Sequence, residues 1–284
     1  MRVLIIGGSG FLGGEAVRQA VDAGHQVAAT YLTRPGDAGS EWHRMDIRNR
    51  SEVVHRVQTL NPDVVINAAC QQADWASTAD GAAHAAIATS SVQARLIHIS
   101  SDAVFSGATT PYDETATPDP TTPYGAAKAA AETAVRAISP SAVIVRTSLI
   151  LGNGHSSHER RVHALAAGQS SGVLFTDDIR CPVHVSDLAA ALLELAATDH
   201  TGIQHVAGAE AISRYELGRL IARRDDLNAD LLTPGLRIDS PYPGPLDVRL
   251  NCSSTQAHLH TQLRGVSQYL AVTTMHSQVP LWAP

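Results

Sequence analysis

Aromatic side chains are scarce in this 284-residue chain, with phenylalanine, tyrosine and tryptophan together at 4%. Set beside abundant alanine, that scarcity fits helices packed closely against a sheet. Cysteine is nearly missing too: Cys70, Cys181 and Cys252 are scattered and odd in number, which excludes a disulfide framework and fits a reducing cytoplasm. No dense run of lysine or arginine occurs and the net charge is −6, so nucleic acid is not an expected partner. No apolar stretch is long enough to span a bilayer, so no membrane partner is expected either. The strand-like run Arg2 to Ile6 stands at the start, and the expectation is a cytoplasmic chain without a signal peptide. Internal repeats and low-complexity linkers are also lacking. The length suits one large domain or two intimately connected ones.

What is present is alternation. Arg2 to Ile6, Gln26 to Thr30, Val64 to Asn67, Arg95 to Ile99 and Ala142 to Arg146 read as buried parallel strands. Alanine-rich helical patterns lie between them, the first from about Gly14 to Ala23, stopped by Gly24. Such alternation predicts an α/β fold, a Rossmann-type doubly wound parallel sheet, which binds ligands beyond the carboxyl ends of its strands. Residues 1–150 read as the dinucleotide-binding domain. Residues 151–284 read mainly as a smaller C-terminal substrate-binding lobe, with elements at about 182–208 returning to the main domain. Within them, Ser186 to Ala197 reads as a helix and Gln204 to Ala207 as a short strand, while Ser213-Arg214-Tyr215-Glu216 is a capping box opening another helix.

The run Gly7-Gly8-Ser9-Gly10-Phe11-Leu12-Gly13 lies between the first strand and the first helix. Glycines at 7, 10 and 13 permit a tight turn, close approach of backbone to a pyrophosphate and close helix-to-strand packing. In that setting the motif reads as a dinucleotide site. Folds that prefer NAD usually place an acid at the end of the second strand, and here Ala29 to Arg34 holds none. Arg34, with Thr30 or Thr33, can instead receive a 2′-phosphate, so NADP(H) is favoured and NAD(H) is the alternative. Asp46-Ile47 ends a plausible third strand and is placed to contact adenine. Asn67-Ala68-Ala69 offers small residues past which the cofactor's ribose and diphosphate can run.

Ser100-Ser101-Asp102 falls where the strand from Arg95 should end. A serine hydroxyl at that rim can hydrogen-bond a carbonyl as it gains negative charge. Farther on, Thr122 can cap a helix whose first position is Pro123 and whose end is Ser139-Pro140. Tyr124 then sits in the first turn with Lys128 one turn inward on the same face. An ammonium there can lower a tyrosine pKa from its free value of about 10, and reaching about 7 needs roughly 4 kcal/mol of differential stabilisation. The product would be a proton donor or acceptor working near neutrality.

In this order, the glycine motif, Asn67-Ala68-Ala69, Ser100 to Phe105 and the Tyr124/Lys128 pair resemble an extended short-chain dehydrogenase/reductase. More narrowly, the chain is similar to the dTDP-4-dehydrorhamnose reductase group, whose segment reads S-T-D-x-V-F. Pro111-Tyr112-Asp113-Glu114, Arg146-Thr147-Ser148 and Pro182 to Leu188 match that group as well. The resemblance implies Ser101, Tyr124 and Lys128 as catalytic residues, with Tyr124 and Lys128 also touching cofactor. It adds Phe11, Leu12, Ser100 and Thr147 to the cofactor contacts. It implies NADPH-dependent reduction of a ketone, most naturally a nucleotide-linked 4-keto sugar, by a monomer or homodimer. One departure stands out: the stretch after Asn67 is shorter than in the group, with Thr78 near the place of an expected Asn, which leaves the substrate less defined than the chemistry.

Other readings compete. Epimerases and dehydratases share the fold, but dehydratases usually show an acidic pair where Asp102 is followed by Ala103. A non-catalytic dinucleotide-binding regulatory subunit is a different class again. His155, His158 and His163 lack the spacing of a zinc motif. Cys181 and His184 could share a helical face yet lack further ligands, so no metal is expected. Arg180, Arg237 and Arg249 are candidate contacts for a substrate diphosphate.

Overall fold

The computed structural model describes residues 1–37, 40–152, 154–241 and 244–271. The expected substrate lobe, 151–284, is therefore described only as far as residue 271, without 153, 242 and 243. Seven strands form one parallel sheet: β1 (Arg2–Ile6), β2 (Gln26–Tyr31), β3 (Glu41–Arg44), β4 (Val64–Asn67), β5 (Arg95–Ile99), β6 (Val143–Arg146) and β7 (Gly202–His205). Their spatial order is β7-β6-β5-β4-β1-β2-β3. Order reverses at β1, which leaves a crevice between the carboxyl ends of β1 and β4.

The period of two along a strand explains why both faces are covered. Val3 and Ile5 join a cluster with Leu12, Ala16 and Val17 of α1 (Phe11–Asp22), and with Leu188, Leu192 and Leu195 of the later helix Val185–Ala196. Leu4 and Ile6 face the other way, onto Val53 and Val57 of α2 (Arg50–Leu60) and the alanines of α3 (Gly81–Ser91) and α4 (Pro123–Ile138). Alanine at 82, 85, 86 and 131 lets those helices approach closely, and this is where the missing aromatic volume went.

A smaller lobe is built from α5 (Ser157–Ala166) and α7 (Arg214–Arg224), with α6 (Val185–Ala196) and β7 between them in the chain. Its core joins Leu151, Val162 and Leu165 to Leu217, Ile221 and Leu232. Ser213 and Glu216 form the expected capping box at α7, and Ser156 with Glu159 forms another at α5. Among the described residues no helix is long and apolar enough to cross a membrane.

Several boundaries differ from expectation. Helix α1 opens at Phe11, not Gly14, because Gly13 and Gly14 are taken into the helix rather than left in the loop. A Cβ on Gly13 would lie 2.1 Å from the Gly7 carbonyl oxygen, so bare backbone is what lets the turn and the helix interlock. Strand β3 ends at Arg44, and Asp46 belongs to the turn that follows, where it accepts from the Arg48 amide at 3.0 Å. Helix α6 starts at Val185 behind His184 as its cap, and β7 runs 202–205, two residues ahead of the expected strand. Cys181 and His184 share no helical face: His184 lies in the short strand Val183–His184.

Helix α4 begins as its sequence suggests. The Thr122 hydroxyl accepts from Gly125 N at 3.1 Å, and Pro123 takes the first helical position. At Gly125 a Cβ would meet the Ala103 carbonyl oxygen at 2.1 Å, and backbone cannot yield there. Gly125→Ala should therefore destabilise the protein by about 1–3 kcal/mol, as overpacking does elsewhere. A urea midpoint unchanged from wild type would contradict that fit.

Candidate active site

Along the crevice the glycine turn comes first. Gly7 has φ of +79°, where a side chain is strained, and an added Cβ would lie 2.8 Å from Ala69. Its N–H donates to Thr30 Oγ1 at 3.0 Å. Thr30 is therefore buried as a brace of the glycine turn, although it also lines the adjoining cleft. That cleft, about 210 Å³, is bounded by Gly7, Gly10, Thr30, Asp46, Ile47, Ala68 and Ala69. Arg34 lies on the exposed bend after β2 and is not among the lining residues; Arg48 is, and it is ion-paired with Asp46 at 2.7 Å.

Ala68 and Cys70 also line a second, larger cavity of about 670 Å³, so the two spaces adjoin. Phe11, Leu12, Ser101, Tyr124, Lys128 and Thr147 all face this cavity. Asn67 does not line either space. Buried at the end of β4, it accepts from Ala69 N at 3.2 Å and meets His98 at 3.3 Å, shaping the turn past which Ala68 and Ala69 run. Ser100 is among the residues lining the cavity, but its hydroxyl donates to Glu132 at 2.5 Å.

Ser101 lies two residues beyond β5 and caps the short turn Asp102–Val104, its Oγ accepting from Ala103 N at 3.1 Å. Tyr124 is half-buried on α4 and bonds to Ser101. Lys128 is 2% exposed, and its ammonium donates to the Ile99 carbonyl at 2.9 Å. The expectation of a lowered phenol pKa is reversed in the protein alone. Burial, chiefly, and then the Cys70 thiol 4.0 Å from the phenol oxygen push Tyr124 upward, against the hydrogen bond from Ser101. Burial lowers Lys128, opposed by Cys70 and Glu132. At neutral pH the phenol thus keeps its proton, the state a donor must have.

Cys70 and Gln72 of the loop after β4 line one side of the larger cavity, and Thr78 is buried behind them without lining it. The Thr78 hydroxyl donates to the Gln71 carbonyl at 2.9 Å and contacts Cys70 Sγ at 3.6 Å. Opposite, the lobe presents arginines gathered on one acid: Asp178, 1% exposed, lies 2.9 Å from Arg180, 3.4 Å from Arg214 and 3.1 Å from Arg237. Burial raises the pKa of Asp102, which is 3.7 Å from Arg180 and takes a 2.6 Å hydrogen bond from Ser148. Burial and Arg214 bring His158 down to about 4, so it is neutral. Three guanidinium groups gathered on one carboxylate give this wall an array of cationic donors fit for an anion. Arg249 lies apart from this wall: it is exposed, paired with Asp247 at 2.8 Å and absent from the lining. The histidines do not converge, since His163 bonds Asp225 at 2.6 Å and His158 meets Arg214 at 3.3 Å.

Sequence reasoning did not find Arg214, although it sits inside the capping box that was noticed for its serine and glutamate. Cys70, His155 and the serines at 156 and 157 also line the cavity unannounced. Loop 154–156 is held by Glu159, which accepts from the N–H groups of Gly152, Gly154 and Ser156, each at 3.0 Å, and from Arg224 at 2.7 Å.

A nicotinamide dinucleotide fits these residues. The glycine cradle has no side chain in it, Gly10 would offer a Cβ little but the Gly7 carbonyl at 3.3 Å, and Thr147 Oγ1 is buried among the described residues without a protein partner at the cavity wall. Fold and site together define a Rossmann-type protein of the extended short-chain dehydrogenase/reductase class. The chain belongs to the RmlD substrate binding domain family, whose profile matches residues 1–278. A dTDP-4-dehydrorhamnose reductase of Mycolicibacterium smegmatis is 32% identical over 258 residues, 86% of this chain and 75% of its own. The dTDP-4-dehydrorhamnose reductase of Bacillus anthracis, solved in complex with NADP, superposes with a TM-score of 0.81 at 25% identity, covering 95% of this chain and 96% of that one. Methionine adenosyltransferase 2 subunit beta of Rattus norvegicus is 27% identical over 277 residues, covering 90% of this chain and 81% of its own.

Burial alone would raise the Glu159 pKa, but hydrogen bonds from Ser156, Arg224 and Gly152 outweigh it and bring the carboxyl down to about 2. A depressed folded pKa gives stability that is present above the ordinary value of 4.5 and lost as pH falls through about 2. Glu159→Gln should melt lower than wild type at pH 6, with the gap closing between pH 4.5 and 2. A gap constant across that window would refute the carboxylate's role in holding the loop.

Proposed function

We propose that the protein is an NADPH-dependent reductase that transfers hydride to a keto sugar carried on a nucleoside diphosphate. The observation that carries this reading is the facing of two groups across one cavity: Ser101, Tyr124 and Lys128 on the sheet side, and Arg180, Arg214 and Arg237 on the lobe side. A carbonyl placed against the first group and a diphosphate against the second describes a sugar nucleotide. The lobe beyond residue 150 is then the substrate-binding part.

Ser101 orients the carbonyl and donates a hydrogen bond as its oxygen gains charge. A nicotinamide held here would supply the hydride that the carbonyl carbon receives. Tyr124, protonated and linked to Ser101, delivers a proton to the oxygen. Lys128 is placed to hold the cofactor ribose and to favour the phenolate left behind. Gly7, Gly10 and the amino end of α1 suit the pyrophosphate, Asp46 and Ile47 the adenine, and Thr147 the nicotinamide end. Arg34 or Arg48 would meet a 2′-phosphate, and Arg34→Ala against Arg48→Ala, read as the ratio of NADPH to NADH affinity, separates them.

Consumption of NADPH with a panel of 4-keto nucleotide sugars tests the function. Tyr124→Phe should cut kcat by about 100-fold or more while NADPH binding persists. Arg237→Ala should raise KM for the sugar nucleotide and leave KM for a free keto sugar unmoved. Tight NADPH binding with no turnover of any substrate, and a copurifying partner, would point instead to a regulatory subunit.

A further inference from the structure

Helix α4 carries Tyr124, Lys128 and Glu132 at intervals of four, which puts them in one stripe facing the edge of the sheet. Two of the three have work in the proposed reaction, and Glu132 has none. Yet it is 3% exposed, and one of its contacts is to Ser100, the residue before Ser101. Ser100 Oγ donates to its Oε1 at 2.5 Å. Arg146 Nε donates to the same oxygen at 3.0 Å and Nη2 to Oε2 at 2.8 Å, a forked pair. Arg146 is itself 1% exposed, donates to the Ala116 carbonyl at 3.0 Å and lies 4.9 Å over the Phe105 ring.

We propose that Glu132 is a positioning residue of this site: it locks Ser100, and with it the neighbouring Ser101, to α4, and it sets a carboxylate one helical turn from the buried Lys128 ammonium. The inference rests on the reductase reading for its kinetic part. Ser101 and Tyr124 come from different elements, so their separation depends on what joins β5 to α4. Two polar ties do this, Lys128 to the Ile99 carbonyl and Ser100 to Glu132, on successive residues of the strand end. A misplacement of the order of 1 Å between reacting groups costs about 100-fold in rate, so such ties matter.

The electrostatic part follows from what faces Lys128. Glu132 comes from α4, Cys70 from the loop after β4 and His98 from β5, while Tyr124 lines the same cavity one turn earlier on α4. Burial and the lysine bring His98 down to about 3, so it is uncharged. Glu132 in turn faces Arg146 of β6 and His205 of β7, the latter brought down to about 4 chiefly by burial. Against burial, Cys70 acts first in favour of the ammonium, and Glu132, one turn along α4, is the carboxylate that adds to it. A buried lysine deprived of its anion gives up its proton at lower pH.

The test compares wild type, Glu132→Gln and Ser100→Ala by kcat and KM from pH 6 to 10, by NADPH fluorescence titration over the same range, and by melting temperature. Glu132→Gln should lower kcat at pH 7 about tenfold with KM within about twofold, and move the alkaline decline to lower pH by about one unit. Its NADPH affinity should weaken at correspondingly lower pH. Ser100→Ala should lower kcat several-fold and leave the alkaline decline in place. A lower melting temperature in Glu132→Gln, with wild-type kcat and pH profile in the folded enzyme, would make the residue merely structural and overturn the proposal. If Glu132→Gln does not fold, wild-type kcat in Ser100→Ala overturns it. If the wild type turns over no keto sugar, the reductase reading fails, and the pH dependence of NADPH binding still decides whether Glu132 holds Lys128 charged.

Discussion

A lysine ammonium buried at the rim of a parallel sheet must be fully provided for, and the centre of this molecule is arranged around that requirement. Lys128 donates to the Ile99 carbonyl, faces Cys70 and has Glu132 one turn away. Each neighbour is fixed in turn. Ile99 belongs to β5, whose end is held to β6 by Ser100 N on the Val145 carbonyl and Asp102 N on the Thr147 carbonyl. Glu132 is held by Arg146 of that same β6. Helix α4 can come so near only because Gly125 has no side chain and the next turns face the sheet with alanine.

The same arrangement accounts for the charge state of the tyrosine. Spacing alone suggested a phenol eased toward ionisation by its lysine. In the folded protein burial dominates, the thiol of Cys70 adds to it, and the proton stays on. In the proposed reaction, where Tyr124 gives a proton to an oxygen, that is the useful direction, and the lysine matters after the proton has gone. The lobe makes the complementary provision for negative charge, with three arginines gathered on Asp178.

Much of this was legible in the order of residues, and what was not has a common cause. Glycines at 7, 10 and 13, the cap at Thr122 and the four-residue step from Tyr124 to Lys128 act over one or two turns of chain, so their meaning survives without a structure. Parallel strands announced themselves as apolar runs because both faces are buried. Arg214 and Arg48 escaped notice because an arginine's role depends on what folds opposite it. Thr30 and Ser100 were assigned to the cofactor by their place at strand ends, while their hydroxyls are committed to protein partners that lie 23 and 32 residues away. Arg249 was considered for its charge alone, and in the fold it is exposed and paired with its near neighbour Asp247.

The chain crosses between sheet and lobe more than once. It leaves after β6 to form α5, returns to lay α6 and β7 against the sheet, and leaves again for α7, whose Leu217 and Ile221 share a core with Val162 and Leu165 of α5. The lobe is therefore a module in space and not in sequence. No single cut excises it, and no single inserted segment could replace it with the lobe of another protein. An exchange of substrate preference by recombination would have to move two stretches at once, or else proceed residue by residue within the arginine wall.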